Sequence, residues 1–467
     1  MRNVMLIVCA FLLGVSSLIG GLAFADGDYS FRIVAKVGDP APGGGFYGPG
    51  LEPNDINDWG TVMFVTDLTT GGQGLFLNRR GVNSQIVRSG QPAPGTDFDF
   101  GFFGSLTPSG LNDVGDMAFG FSLDLPPLYD SGVTAGVWRY SGASGAATKV
   151  LAPGDPAPGG HTFQSADWHT YLNNRGEIAT AGIIDTYDGN CTNEDASCYG
   201  FGRGVYKFDR RNKAIKIAAP GDPAPGGGVF DDAWDPNIND WGDVVFGGHV
   251  KGEACFGGSS STIGCYESLY LYRARTGTLS SLVHQGDPAP GGDTFDFAFN
   301  GRLNSVGDVS FIGVLDMIDE DGWVLYKNGV FLYRHTGSIV KVAKPGDRLP
   351  GGVMANTNFA QGSHGINDFG DVAFVAQLDA DVNHDGIQDT GIYLYHAGRI
   401  STVVRTGTVI RGFGKVAYTN NYWFVGSPWP WPGVHLNNRG EVLTQVTLED
   451  GHSYVVVATP PGRWDGR

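Results

Sequence analysis

Asn367-Asp-Phe-Gly-Asp-Val-Ala-Phe374 is one of seven near-copies of a single eight-residue phrase. The others are Asn57–Phe64, Asn112–Phe119, Asn173–Thr180, Asn239–Phe246, Asn304–Phe311 and Asn437–Thr444. Successive Asn positions lie 55, 61, 66, 65, 63 and 70 residues apart, so one unit tiles the chain. Asn at the first turn position can bond the backbone ahead of it, and Gly at the fourth supplies a left-handed dihedral. Asn-x-x-Gly therefore reads as a tight turn joining two strands. The residues that follow alternate with period two, as in Val372, Phe374, Ala376 and Leu378, or Met117, Phe119, Phe121 and Leu123. The intervening positions (Ala373, Val245, Met63, Ala118, Leu443) are mostly apolar too, which predicts a strand covered on both faces.

Each unit then offers a third strand ending in aromatics, such as Gly136-Val-Trp-Arg-Tyr140 or Gly391-Ile-Tyr-Leu-Tyr395, and a fourth such as Ile215–Ala218 or Ile339–Val342. A Gly-Asp-Pro-Ala-Pro-Gly-Gly linker follows at Gly38, Gly154, Gly221 and Gly286, with degraded forms at Gly90, Gly346 and Gly407. Proline cannot donate to a ladder and glycine breaks one, so these segments are loops between units. Four short strands repeated seven times predict an all-β fold, a seven-bladed β-propeller. The last unit lacks a fourth strand, and Phe31–Val37 stands before the first linker as an orphan strand. Pairing the orphan with Tyr454–Ala458 would close the ring and remove the exposed edges. An open seven-unit solenoid is the competing arrangement.

Met1–Ala25 has the form of a secretory signal: Arg2, an apolar run from Val4 to about Leu22, and Ala23-Phe-Ala25 before Asp26 as the cleavage site. The expected organisation is a signal peptide 1–25, the propeller 26–460 and a tail 461–467, with secretion into the extracellular space and no membrane span after cleavage. Loss of Arg2 moves the formal net charge from −17 to −18. A chain this acidic, without a basic stripe, is not a nucleic-acid binder. Cys191, Cys198, Cys255 and Cys265 remain, in two polar insertions between second and third strands. Export permits disulfides, and the short spacings favour 191–198 and 255–265, with two cross-blade connectivities also open. Without histidines at zinc-like spacing, they read as loop staples.

The repeat Asn-x-x-Gly-x-x-Ala-Phe stands letter for letter at Asn112–Phe119 and Asn367–Phe374, and nearly so at three further sites. In this the chain resembles the bacterial secreted proteins with tandem NxxGxxAF repeats, many of which carry one of several C-terminal surface anchors. The resemblance covers the mature chain and implies location and architecture, but brings no catalytic residue. Pro460–Arg467 shows no apolar tail or sorting motif, which favours release over surface attachment. Thr180 and Thr444 depart from the terminal Phe, which suggests looser packing in those blades.

Three candidate sites stand out. Asp381-x-Asn383-x-Asp385-Gly386-x-x-Asp389 places oxygen side chains at alternate positions with Gly at the sixth, like the front of a calcium loop. Ile392 stands where such a loop ends in Glu, so a structural Ca2+ would use Asp381, Asn383, Asp385 and Asp389, the last directly or through water. The bland reading is a solvated acidic loop. The second site lies two residues before each repeat Asn: Asp55, Gly110, Tyr171, Asn237, Arg302, Gly365 and His435. Their preceding-Asn neighbours are all apolar, so this set faces the opposite way, towards the axial channel, as a polar convergence or as a plain wet channel. The third is Tyr422, Trp423, Trp429 and Trp431 in a proline-interrupted insert, suited to sugar stacking or to covering the last blade.

No Gly-x-Ser-x-Gly elbow or His-Glu-x-x-His occurs. The linker aspartates Asp39, Asp155, Asp222, Asp287 and Asp347 recur too regularly to be anything but turn caps. The leading expectation is a non-catalytic extracellular propeller binding a glycan or protein at one ring face. The alternatives are a secreted polysaccharide lyase or hydrolase using Asp55, Arg302 and His435, and a purely structural matrix component.

Overall fold

The structure is a computed structural model that describes residues 29–126, 134–185, 201–252, 268–320, 323–357, 363–384, 386–419 and 433–462. Among these residues there is no helix, and the strands form a seven-bladed propeller. The innermost strands are Glu52–Ile56, Phe100–Leu111, His161–Leu172, Phe230–Ile238 and Phe297–Leu303 in blades one to five. In blades six and seven the inner strand comes in two pieces, Gly352–Asn356 with His364–Ile366, and Gly414–Thr419 with His435–Leu436. From each inner strand three more run outward in antiparallel order, so the Asn-x-x-Gly turns share one face of the ring. The connections from second to third strand open on the other.

Closure follows the sequence expectation. Ser30–Lys36 pairs antiparallel with Ser453–Thr459, with Phe31 opposite Ala458 and Lys36 opposite Tyr454. The outermost strand of blade seven thus comes from the start of the chain, and Ser453–Thr459 is paired on both sides at the seam.

The core is divided into seven clusters, one between each pair of neighbouring blades. At most junctions it is built around the Phe that ends the repeat. Phe64 stacks on Phe76 at 5.4 Å, and Tyr47 meets both edge-on. The same sandwich recurs as Phe246 on Tyr270 with Phe230 edge-on, and as Phe311 on Phe331 with Phe295 edge-on to Phe331. Truncating such a fully buried ring costs about 3–5 kcal/mol. Thr180 and Thr444, which stand where the other repeats have Phe, are both fully buried. The Thr180 hydroxyl donates to the His169 carbonyl at 2.9 Å and meets the Thr170 hydroxyl at 2.8 Å, so a polar contact replaces the ring.

The linker aspartates cap turns. Asp155 accepts the Ala152 amide and the Lys149 ammonium, and Asp222, Asp287 and Asp347 accept the corresponding amides of Ala219, His284 and Lys344.

Candidate functional site on the propeller axis

The repeat turn does two jobs with one side chain. In each copy the Asn oxygen accepts amides from its own turn, as Asn57 does from Trp59 and Thr61 at 3.1 and 3.0 Å. The turn glycines all sit at φ between 72° and 91°, the left-handed region that excludes most other residues. The Asn amide group then reaches across to the next blade. Asn57 donates to the carbonyl of Asn112, Asn112 to Asn173, Asn173 to Asn239, Asn239 to Asn304, Asn304 to Asn367, Asn367 to Asn437, and Asn437 back to Asn57. These seven bonds span 2.8–3.5 Å and make a closed hydrogen-bonded ring around the axis.

A second ring lies one residue further on, at Asp58, Asp113, Asn174, Asp240, Ser305, Asp368 and Asn438. The backbone amide of each bonds the side chain of the next, at 2.7–2.9 Å, across six of the seven junctions. This ring lines a cavity of about 160 Å³ at the turn face of the channel. Sequence reasoning missed both rings, although the second was visible as a recurring Asp or Asn after the repeat Asn.

Deeper along the inner strands, several of the residues two before each Asn make contacts between blades. Asp55 spans blades one and two, its carboxylate accepting the amides of Ile56 and Leu111 at 2.8 Å each. Asn237 likewise accepts the Leu303 amide of blade five at 2.9 Å. Gly110 and Gly365 are close approaches: a Cβ on Gly110 would stand 2.2 Å from the Leu172 nitrogen, one on Gly365 3.0 Å from the Val434 carbonyl. The Arg302 guanidinium of blade five lies 5.0 Å over the ring of Tyr171 in blade three. It also reaches Asp235 at 3.5 Å and donates to Asn300 at 2.7 Å. His435 Nδ1 is 3.9 Å from Asp55, and His169 Nδ1 is 3.6 Å from Asp235.

The structure thus brings Asp55, Tyr171, Arg302 and His435 together and adds His169, Asp235, Asn300 and His364. Asp235 and Asn300 hold φ of 47° and 61°, unusual for side-chain-bearing residues, where the inner strands bulge. Those bulges turn the residues four before Asn towards the axis, a shift that no periodicity announces. The Tyr171 hydroxyl has no hydrogen-bond partner among the described residues.

Burial dominates the electrostatics. It pushes the Asp55 carboxyl up to about 7, against the pull of the Leu111 and Ile56 amides. It pushes the Tyr171 phenol far above its usual range. Burial, with Arg302 as the second cause, drives His364 and His435 down to about 3, so both are neutral at pH 7. One carboxyl poised near neutrality beside a neutral imidazole and a fixed guanidinium can bind hydroxyl groups and can accept or release a proton.

Other predicted residues lie elsewhere. Asp381, Asn383 and Asp389 fall on the second-to-third-strand connection of blade six. Asp389 is 1% exposed and both its oxygens accept the Val382 amide at 3.2 Å, while Asp381 accepts the Gly386 amide at 3.1 Å. Asp385 lies outside the described residues, as do Cys191, Cys198, Cys255, Cys265, Tyr422, Trp423, Trp429, Trp431 and Met1–Ala25. Among the described residues no three histidine, cysteine or acidic side chains meet as a metal site. No helix among them is long and apolar enough to cross a membrane.

Fold and axis together define a closed seven-bladed propeller with a polar cluster enclosed at its centre. The chain belongs to the family of unknown function DUF7453, whose profile matches residues 10–460. No curated protein matches it in sequence. Among solved structures it is similar to an acylaminoacyl peptidase from Pyrococcus horikoshii, at 11% identity and TM-score 0.43 over 85% of this chain and 49% of that one. It is also similar to a puromycin-hydrolyzing peptidase of Mycobacterium tuberculosis, at 10% identity and TM-score 0.46 over 95% and 56%. A third is a fungal alcohol oxidase of the AA5 family in complex with copper, at 13% identity and TM-score 0.45 over 94% and 77%. The chain spans about half the length of the two peptidases.

Proposed function

We propose that this chain is a secreted, ligand-binding propeller whose axial cluster takes a polar, uncharged group, a sugar unit of an extracellular glycan. The observation that carries the reading is the meeting of Asp55, Tyr171, Arg302 and His435, from four blades, around one axis. Hydroxyl groups donate and accept at once, and this set offers acceptors, donors and an aromatic face. An anion suits it less well, because Asp235 already sits against Arg302. The ligand enters from the face of the second-to-third-strand connections, since the cavity at the turn face, about 160 Å³, is too small for a sugar chain. Export is supported by the signal-like Met1–Ala25 and by the likeness to secreted NxxGxxAF-repeat proteins. Export in turn permits the disulfides 191–198 and 255–265. A calcium ion on Asp381, Asn383, Asp385 and Asp389 would staple the blade-six connection, and the buried Asp389 carboxylate is the donor that fits a hard cation.

The test is a glycan array with the full chain, followed by titration calorimetry of any hit. Binding should weaken at least tenfold in Tyr171→Phe and Arg302→Lys. Absence of binding to every glycan, or binding indifferent to both substitutions, would remove the reading and leave a structural role.

Asp55 beside His435 supports a second reading, proton transfer in a polysaccharide lyase or hydrolase. New reducing ends released from a bound glycan, and lost in Asp55→Asn, would establish it.

A further inference from the structure

The face opposite the proposed glycan entrance carries a feature that the axial cluster does not use. The third residue of the seven repeat turns is Trp59, Val114, Arg175, Trp241, Val306, Phe369 or Arg439. The five apolar ones are exposed by 74%, 71%, 65%, 51% and 68% respectively. Nothing in a tight turn requires an apolar side chain at this solvated position. Single exposed apolar residues are ordinary, whereas here one register position repeats them around a ring. Arg175 lies 5.9 Å over the Trp241 ring.

Inside this crown opens the cavity lined by Asp58, Asp113, Asp240 and Asp368. Its volume of about 160 Å³ is that of roughly five water molecules at about 30 Å³ each. It has room for one guanidinium or ammonium head with a few water molecules. Burial, with the neighbouring Asp58 and Asp240 charges, holds the Asp113 carboxyl above its usual range, a sign of negative charge crowded at the mouth. A cation placed there would relieve the crowding and form charge-assisted bonds. The formal net charge of −17 opposes a second copy of this chain as the occupant.

We propose that the turn face docks a protein partner that inserts one arginine or lysine side chain into the axial mouth and lays flanking apolar residues on Trp59, Trp241 and Phe369. The crown excludes water around the inserted charge, which is how a rim strengthens a central anchor. Acidic lining sets the sign of the partner and aromatic rim its neighbours.

A random twelve-residue peptide library displayed on phage, selected against the full chain, tests this directly. Recovered peptides should share one Arg or Lys flanked by apolar residues. A synthetic peptide from that set should lose at least tenfold in affinity when its basic residue is replaced by citrulline or norleucine. It should lose as much against Asp113→Asn/Asp240→Asn, and against Trp59→Ala/Trp241→Ala. Asn already occupies the same ring position at Asn174 and Asn438, and Asn keeps the oxygen that accepts the Asp58 amide, so the first variant retains the fold. Unchanged melting temperatures verify this for both. The idea fails if no peptide is enriched, if the enriched peptides lack a basic residue, or if their binding survives both double substitutions. Concentration-dependent dimers in sedimentation that vanish in Trp59→Ala/Trp241→Ala would overturn it in favour of self-association. A glycan signal lost in the same variant would overturn it in favour of sugar stacking.

Discussion

The side-chain amide of Asn437 donates to the backbone carbonyl of Asn57 across 2.9 Å of space and 380 residues of sequence. That bond completes a ring in which every blade holds its neighbour by the residue that also shapes its own turn. The outer seam is closed by a strand and the inner seam by this asparagine.

Replacing one ring asparagine should therefore cost more than an ordinary turn substitution. Asn437→Ala strips the Arg439 and Glu441 amides of their acceptor and Asn57 of its donor. Leaving a buried group unpaired costs about 1–3 kcal/mol, and the two part-buried amides can recover part of theirs from water, so a loss of about 2–4 kcal/mol is expected in urea unfolding. Trp241→Ala, on an equivalent turn but exposed, should stay within about 0.5 kcal/mol. Equal effects would show that the ring contributes nothing.

Deleting Tyr29–Lys36 should open the propeller. The deletion leaves the outer edge of the Ser453–Thr459 strand unpaired and uncovers Val455 and Val457, so the protein should melt far lower or aggregate. Adding the missing strand back as a separate peptide should recover part of the melting temperature, and a deletion variant as stable as the full chain would contradict the seam.

Gly110→Ala should destabilise more than Gly365→Ala. At Gly110 the new methyl meets the Leu172 backbone nitrogen at 2.2 Å, which only a shift of the whole blade can relieve. At Gly365 its nearest neighbour is at 3.0 Å. Thermal melts of the two variants check the order.

Stability should rise between about pH 4 and 6.5, with Asp55 opposing the rise. His364 and His435 fall to about 3 in the fold, so in this window the unfolded chain binds more protons at both, and stability increases with pH. Asp55 rises to about 7, so there the folded chain holds the extra proton and its contribution decreases with pH. Asp113 and Asp232, also held above their usual range, oppose the rise in the same sense, while Asp308 and Asp209, held below it, add to it. Asp55→Asn should steepen the rise, and His435→Gln should flatten it, as read from melting temperatures across the window.

If calcium occupies the blade-six connection, a chelator should lower the melting temperature by several degrees, as loss of a ligand bound only to the folded state does. Asp381→Ala and Asp385→Ala should abolish that response. No chelator effect on the wild type would dismiss the site.

Blade number, turn chemistry and the closing strand were legible because they are properties of local pattern. A Gly that must turn left, a Phe that must be buried and an orphan strand that must be paired each leave their mark within a few residues. That Asp55, Tyr171, Arg302 and His435 hold one register position was legible for the same reason, since they stand at the same distance from the repeat Asn. What only the tertiary structure decided is which of those side chains meet. Asp235 and Asn300 join the cluster where their strands bulge, and contacts such as His169 with Asp235 and Asp235 with Arg302 link residues that lie 66 and 67 positions apart, which no spacing encodes. The Asn ring and the acidic mouth are likewise products of closure: a repeat shows what each blade carries, and only the circle puts seven copies within hydrogen-bonding reach.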